Sequence, residues 1–167
     1  MAPIRPSARD GGERGSSLVE FALTVPLLLV VIAGIVDFGF VFQRYEVITN
    51  AAREGARLAS LPEYQANIPM VQDRVRTYVQ QGLSLNTAGL NAVVPLSNVV
   101  VTNTPFTVTD GGGTTYTVQA TTVTVTYNHT FLLLQPVLGL INKSWGTTMA
   151  LTATSQMRNE NPIPGGS

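Results

Sequence analysis

Residues 15–42 read GSSLVEFALTVPLLLVVIAGIVDFGFVF, and this stretch decides how the N-terminal third of the chain folds. Between Leu18 and Phe42 the only ionised side chains are Glu20 and Asp37. An α-helix rises about 1.5 Å per residue, so this stretch can cross a hydrocarbon core of about 30 Å with some tilt. The sequence therefore predicts one transmembrane helix.

Proline interrupts this segment once, at Pro26, where it removes a backbone hydrogen bond and predicts a kink over residues 22–26. After the span, QRYEVITNAAREGARLAS continues without a helix breaker to Pro62, which predicts one helix from Ser17 to Ser60. Small residues recur on its second half at four-residue spacing, a pattern that lets another backbone approach closely. This face serves either the protein's own next domain or an outside partner; its members are Ala51, Ala52, Gly55, Ala56, Ala59 and Ser60.

A second amphipathic helix is predicted over residues 69–81, ending near Gly82. Its apolar face would contain Val71, Val75, Tyr78 and Val79.

Beyond Gly82 the composition changes to that of β-structure, because Thr and Val dominate and Asp110 is the only ionised residue from 83 to 142. The glycines of Asp110–Gly113 predict a hairpin turn. The alternation of apolar residues changes phase after Ala120, which predicts a β-bulge at residues 121–122. An apolar connection over residues 131–142 and a last strand with Met149, Leu151 and Ala153 on one face complete the domain.

The predicted class is α+β, with a long N-terminal helix that crosses the membrane, continues outside it and precedes a small, Thr-rich, antiparallel, pilin-like β domain. The predicted divisions are a leader, the long helix, the second helix, the β-rich domain and a flexible tail. Their bounds are residues 1–15, 16–61, 62–82, 83–158 and 159–167.

Charge and composition exclude several functions. Charged residues make up 12% of the chain and the formal net charge is zero, so nothing predicts a nucleic-acid partner. The chain has no Cys and a single His, His129, which we expect to be a structural residue, either exposed or hydrogen-bonded. Trp145 is expected in a core or interface. No pattern of catalytic, metal-binding or cofactor-binding residues is present, and we expect no enzyme activity.

Glu20 is unusual because an acid inside a bilayer costs about 2.5 to 3.5 kcal/mol on insertion scales, although less near the interface. One explanation is a capping box, in which Ser17 and Glu20 bind free amides at a helix start. Another is a cut after Gly15, which would create a cationic amino group on Ser16. That ammonium could pair with Glu20 of a neighbouring subunit, and capping alone gives Gly15 no role.

These residues resemble the prepilin-peptidase site of type IV pilins, in which a glycine, four residues and a glutamate precede an apolar helix. More closely, residues 14–61 are similar to the TadE/TadG-like family of the tight-adherence (Tad) pilus system. The similarity lies in the VEFAL entry, the following Pro26, the acid and aromatics Asp37, Phe38 and Phe40, and NAAREGARLAS at residues 50–60. The closing ALTATSQMRNE is similar more weakly.

The resemblance implies a minor pilin or pseudopilin that builds a Tad-type pilus or secretion apparatus. Its partners would be a prepilin peptidase, other pilins and Tad assembly proteins, and membrane lipid, in a homo- or hetero-oligomer. Gly15 would supply the cut, Ser16 the mature N-terminus, and Glu20, Phe21 and Pro26 the assembly contacts. The implied location is the inner membrane, with the N-terminus in the cytoplasm and the C-terminal domain exported or assembled into an extracellular pilus.

Three alternatives stay open. The chain could be an uncleaved single-pass scaffold that binds assembly proteins through its small-residue face. It could carry a conventional signal peptide cut near residues 31–34, against which Glu20 and the continuing apolar segment argue. It could also tether a secreted hydrolase. Arginines are balanced on the two sides of the span, so the family resemblance rather than charge gives the orientation.

Overall fold

One long helix, α1 (Gly11–Ser60), carries the whole N-terminal part of the chain. The structure is a computed structural model that describes residues 11–136 and 148–160, with side chains described from residue 15 onward. The predicted helix start at Ser17 is wrong, because the helix already includes Gly11, the first residue that the structure describes. Each glycine costs a helix only about 1 kcal/mol relative to alanine, which is too little to end it here. The predicted end at Ser60 is confirmed. The helix continues through Pro26, and the kink there stays a prediction.

The two halves of α1 have different surroundings. From Leu18 to Val36 the large apolar side chains are exposed, and only 11% of the most apolar window is buried. From Val41 onward the helix contributes a regular series of buried residues. The first half is long and apolar enough to cross a membrane, whereas the second half is part of a packed core.

Two further helices follow where one helical segment is predicted. The short α2 (Pro62–Gln65) begins at a proline, and α3 (Ile68–Gly82) is capped by Asn67, whose side chain accepts a hydrogen bond from the amide of Met70. Valines at four-residue spacing form the buried face of α3, namely Val71, Val75 and Val79. Placing Tyr78 on that face is wrong, because it lies exposed at the rim of the contact with α1.

The β-rich region starts with helical structure that the composition does not predict. A two-turn helix, α4 (Thr87–Val93), is capped by the side chain of Asn86. A 3-10 turn, Leu96–Asn98, then leads into the sheet. Leu90 and Val94 anchor this region in the core.

Three antiparallel strands form one sheet in the order β1 (Val99–Thr109), β2 (Thr115–Thr130) and β3 (Thr148–Arg158). The predicted hairpin turn is confirmed between β1 and β2. Asp110 accepts hydrogen bonds from the amides of Gly112 and Thr114, and Gly113 has a φ of +82°, which glycine adopts without strain.

The predicted bulge at residues 121–122 is wrong, because β2 pairs with both neighbours in unbroken register through these positions. From Thr121 to His129 every second side chain is buried. The first half of β2, before Ala120, does not cover the core. Tyr116 and Val118 therefore lie on the face of the strand opposite to the buried series.

The helices cover one face of the sheet, and threonines occupy the other. α1 packs against β2 and β3, while α3 packs against α1 and β1. On the open face Thr124 contacts Thr154 at 3.1 Å and Thr126 contacts Thr152 at 3.4 Å, hydroxyl to hydroxyl. The architecture is therefore α+β, as predicted. We call residues 41–136 and 148–160 the globular part.

The chain after β3 is fixed for two residues beyond its predicted end. Asn159 is buried and its side chain accepts a hydrogen bond from Thr121, while the amide of Glu160 donates to the carbonyl of Ser60. These two residues belong to the segment predicted as a flexible tail, of which residues 161–167 lie outside the described residues. Several predictions lie outside the described residues, namely most of the leader, half of the apolar connection, Trp145 and the rest of the tail.

Candidate functional site

The predicted processing residues lie on the exposed start of α1. Gly15, Ser16 and Glu20 are all helical and solvent-exposed. Since α1 begins at Gly11, Ser17 and Glu20 are inside the helix, and the capping-box explanation is wrong for the uncut chain. The backbone carbonyl of Glu20 accepts a hydrogen bond from the Thr24 hydroxyl at 2.8 Å. The carboxylate of Glu20 is open to a partner from outside the globular part.

The two other predicted assembly residues share this surface. Phe21 is 70% exposed and Pro26 is exposed, although both are apolar. Around them the exposed helix surface consists of Leu, Val and Ile side chains. Such a large apolar surface requires a lipid or protein environment.

The small-residue face of α1 is covered by the protein's own globular part. Ala51, Ala52, Ala56 and Ala59 are at most 2% exposed, packed with α3 and the sheet. A Cβ on Gly55 would clash with Val75 Cγ2 and lie 3.2 Å from Val123 Cγ1. The close approach of α1, α3 and β2 at this point therefore requires glycine.

A second polar centre, which sequence reasoning did not predict as a site, lies where α1 enters the globular part. Asp37 has an exposed fraction of 0%, although most of its neighbours on α1 are exposed. Its carboxylate accepts hydrogen bonds from the backbone amides of Leu132, Leu133 and Leu134, at distances from 2.7 to 3.2 Å. An acid of the apolar segment is thus satisfied by the turn that follows β2.

Arg44 lies two helical turns further along α1. Its Nε donates a hydrogen bond to the Tyr127 hydroxyl at 3.0 Å, and its guanidinium carbon lies 5.2 Å from the centroid of the Phe40 ring. Its Nη1 is buried and has no hydrogen-bond partner among the described residues. The arginine thus ties α1, just after its apolar half, to the central strand through a neutral hydroxyl.

His129 lies close enough to both of these charged residues to sense their charges, and its surroundings differ from the prediction. It is 1% exposed, and neither ring nitrogen has a hydrogen-bond partner in the part of the chain that the structure describes. Its ring packs edge-on against Phe131, with centroids 5.2 Å apart. Burial lowers the pKa of His129, the charge of Arg44 lowers it further, and Asp37 opposes them. The expected exposed or hydrogen-bonded histidine is therefore wrong.

The predicted residues form two groups at opposite ends of α1. From Glu20 to Ala51 the helix axis extends about 46 Å, so the processing residues cannot contact the packing residues within one chain. Asp37 lies between them. Its sequence signal was available, since an acid in an apolar span calls for a partner.

Few side chains in the described part of the chain could bind a metal or a ligand. Among the described residues no group of three His, Cys, Asp or Glu side chains is arranged to hold a metal ion. A small polar pocket of about 190 Å³ lies beside Arg44 and Tyr127. Glu54 and Arg57 form a two-point ion pair, in which the Arg57 hydrogen bond lowers the pKa of the Glu54 carboxyl.

The model of the family described as TadE-like protein matches residues 15–57, about a quarter of the chain. The matched segment starts at the glycine of the predicted cut and ends near the end of α1. Neither a curated protein nor a solved structure matches the chain. The match confirms the resemblance inferred from the N-terminal residues, and it associates the chain with the Tad pilus system.

Proposed function

We propose that the chain is a minor pilin or pseudopilin of a Tad-type (type IV) pilus or secretion apparatus, cut after Gly15 by a prepilin peptidase. The observation that carries this proposal is the division of α1. Its first half exposes a continuous apolar surface, and its second half is the central helix of a folded globular part. A continuous helix with these two halves suits a subunit that is stored in a membrane and later packed into a bundle.

The mechanism is a transfer between lipid and a protein fibre. In lipid, the exposed carboxylate of Glu20 has no charged partner among the described residues of its own chain and is costly. In a fibre, the α-ammonium of Ser16 on one subunit pairs with Glu20 of the next. Four helical residues separate the two groups, so an axial offset of about 6 Å aligns them.

The proposed location follows from the same helix. α1 crosses the inner membrane once, with the leader in the cytoplasm and the globular part exported. Phe21 and Pro26 then face lipid before assembly and neighbouring helices afterwards. In this proposal residues 16–61 form the anchoring and packing helix, and the residues after it form the exported domain.

The proposed cut lies in a weak part of the helix. Gly11, Gly12 and Gly15 are three of the first five residues of α1, and glycine costs a helix about 1 kcal/mol relative to alanine. A peptidase can therefore unwind this end at little cost. N-terminal sequencing of the mature protein tests the cut: a start at Ser16 supports it, and a start at Met1 or Ala2 contradicts it.

Assembly is tested with Glu20→Ala. We expect membrane insertion to be preserved and the amount of tagged protein in sheared pili to fall. Glu46→Ala is the matched control, because Glu46 is an exposed glutamate of α1 outside the apolar stretch. Normal incorporation of Glu20→Ala would contradict the mechanism, whether or not the leader is cut.

The alternative is an uncleaved single-pass scaffold of the assembly machinery. The small-residue face first considered for its partners is already covered, since Ala51, Ala52, Ala56 and Ala59 pack inside the globular part. A scaffold would have to use another surface. It would remain in the membrane fraction with its leader intact, which separates it from the pilin.

A further inference from the structure

The turn that follows β2 is apolar and exposed, and its position relative to α1 is fixed. Leu132 and Leu133 are 65% and 42% exposed. Their backbone amides bind the Asp37 carboxylate at distances of 3.0 to 3.2 Å. The turn therefore lies at the same level along α1 as Asp37 itself.

The position of Asp37 along α1 can be compared with the thickness of a bilayer. A helix reaches from Leu18 to Asp37 over about 30 Å, which equals the thickness of a hydrocarbon core. The apolar segment then continues past Asp37, where Phe38 and Phe42 are exposed. A helix that spans from Leu18 thus brings Asp37 to the outer edge of the hydrocarbon core, and the turn goes with it.

The geometry points to a second membrane contact, in which residues 131–134 lie in the outer interface of the bilayer beside α1. This inference rests on the proposed membrane-spanning role of α1. Leu132 and Leu133 enter the boundary between headgroups and acyl chains, together with Phe38 and Phe42. Their backbone amides are not left unsatisfied in this apolar region, because the carboxylate of Asp37 binds them.

This contact also explains how the chain tolerates an acid, Asp37, within its apolar segment. A carboxylate near lipid is unfavourable unless it is paired or hydrogen-bonded. Three backbone amides from the turn supply those hydrogen bonds, and the acid itself is fully buried. The globular part is then held against the membrane at two points, by α1 and by the turn.

The absence of cysteine from the sequence provides a direct test. Single cysteines are introduced as Leu132→Cys, Ile35→Cys and Val108→Cys in the full chain, and each is labelled with an environment-sensitive fluorophore. Ile35 is exposed on α1 close to Asp37, whereas Val108 is exposed near the tip of the β-hairpin. Circular dichroism of each labelled variant checks that the fold is retained.

The labelled chains are reconstituted, at a low ratio of protein to lipid, into phosphatidylcholine and phosphatidylglycerol vesicles that carry shallow nitroxide lipids. We expect the Leu132 label to lose fluorescence to about the same extent as the Ile35 label, while the Val108 label keeps its fluorescence. Equal quenching at Leu132 and Val108, with strong quenching at Ile35, would overturn the second contact and leave the spanning helix intact. A blue-shifted Leu132 label that nitroxides do not reach would also overturn it, because a protein chain and not lipid would then cover the turn. An unquenched Ile35 label would contradict the spanning helix and the inference together.

Discussion

Both carboxylate oxygens of Asp37 accept the backbone N–H of Leu133, at 3.2 and 3.0 Å, although the two residues are 96 positions apart in the chain. One oxygen also accepts the amide of Leu132 and the other that of Leu134. A single side chain of α1 therefore fixes the turn after β2. This relationship connects the apolar half of the helix to the sheet.

Replacing Asp37 by alanine should release this turn. The change leaves three backbone amides without their acceptor, and hydrogen bonds to charged groups contribute about 1.5 to 3 kcal/mol to stability. We expect faster hydrogen exchange at the amides of residues 132–134 and a loss of about 2 to 3 kcal/mol in the free energy of unfolding.

Asp73→Ala is the control for this change. Asp73 is an exposed acid on α3, and its removal should change the free energy of unfolding by less than about 0.5 kcal/mol. Asp37→Asn retains one acceptor oxygen and should lie between the two variants. Unchanged exchange at residues 132–134 in Asp37→Ala would show that the carboxylate does not fix the turn.

Gly55 is predicted to tolerate no larger side chain. In Gly55→Ala the new methyl group meets Val75 and Val123, which are themselves completely buried. Overpacking of this kind costs about 1 to 3 kcal/mol in the free energy of unfolding. Thermal unfolding followed by circular dichroism measures the loss.

Gly111→Ala makes the same chemical change where nothing lies within 4 Å of the added methyl group. It should leave the unfolding temperature nearly unchanged. Equal effects of the two substitutions would contradict a packing origin of the loss at Gly55, because Gly→Ala by itself favours a helix and restricts the unfolded chain.

The sequence predicted those parts of the fold that depend on local pattern. Hydrophobic length predicted α1, and glycine predicted the turn at Asp110–Gly113, because both depend on residues close together in the chain. The small-residue face was also visible in the sequence. The segments that cover this face could not be predicted, because they depend on how α3 and the sheet fold back onto α1.

The errors arose where distant segments meet. The predicted bulge in β2 assumed that both halves of the strand cover one core, whereas only the half from Thr121 onward does so. His129 was expected to be exposed or hydrogen-bonded, yet it is buried against Phe131 and senses the charges of Asp37 and Arg44 on α1, which is far away in the sequence. Asp37 carried a signal, but its partners are backbone amides, which no sequence pattern marks.

His129 should make the globular part sensitive to acid. Its pKa is below the ordinary value near 6.5, chiefly because of burial, so the folded state binds fewer protons than the unfolded state. The free energy of unfolding is therefore highest above about pH 6.5 and falls as the pH drops from there toward the lowered pKa. Denaturant unfolding in detergent between about pH 7.5 and 5.5 measures this slope.

The comparison variant is His129→Leu, which removes the titrating ring from an apolar site. Since His129 is the only histidine, the slope over this pH range should become nearly flat. A slope in His129→Leu equal to that of the unmodified chain would assign the acid sensitivity to another group.

Arg44 and Tyr127 should show coupled effects on stability. Tyr127→Phe removes the hydroxyl that accepts from Arg44 Nε, and because Arg44 Nη1 is already without a partner among the described residues, the guanidinium becomes still less satisfied. We expect a loss of about 1 kcal/mol in the free energy of unfolding. In an Arg44→Met background the same substitution should cost much less, since no buried donor is then left unpaired. Chemical denaturation of the four proteins gives the coupling energy directly, and strictly additive effects would show that the 3.0 Å hydrogen bond contributes nothing to stability.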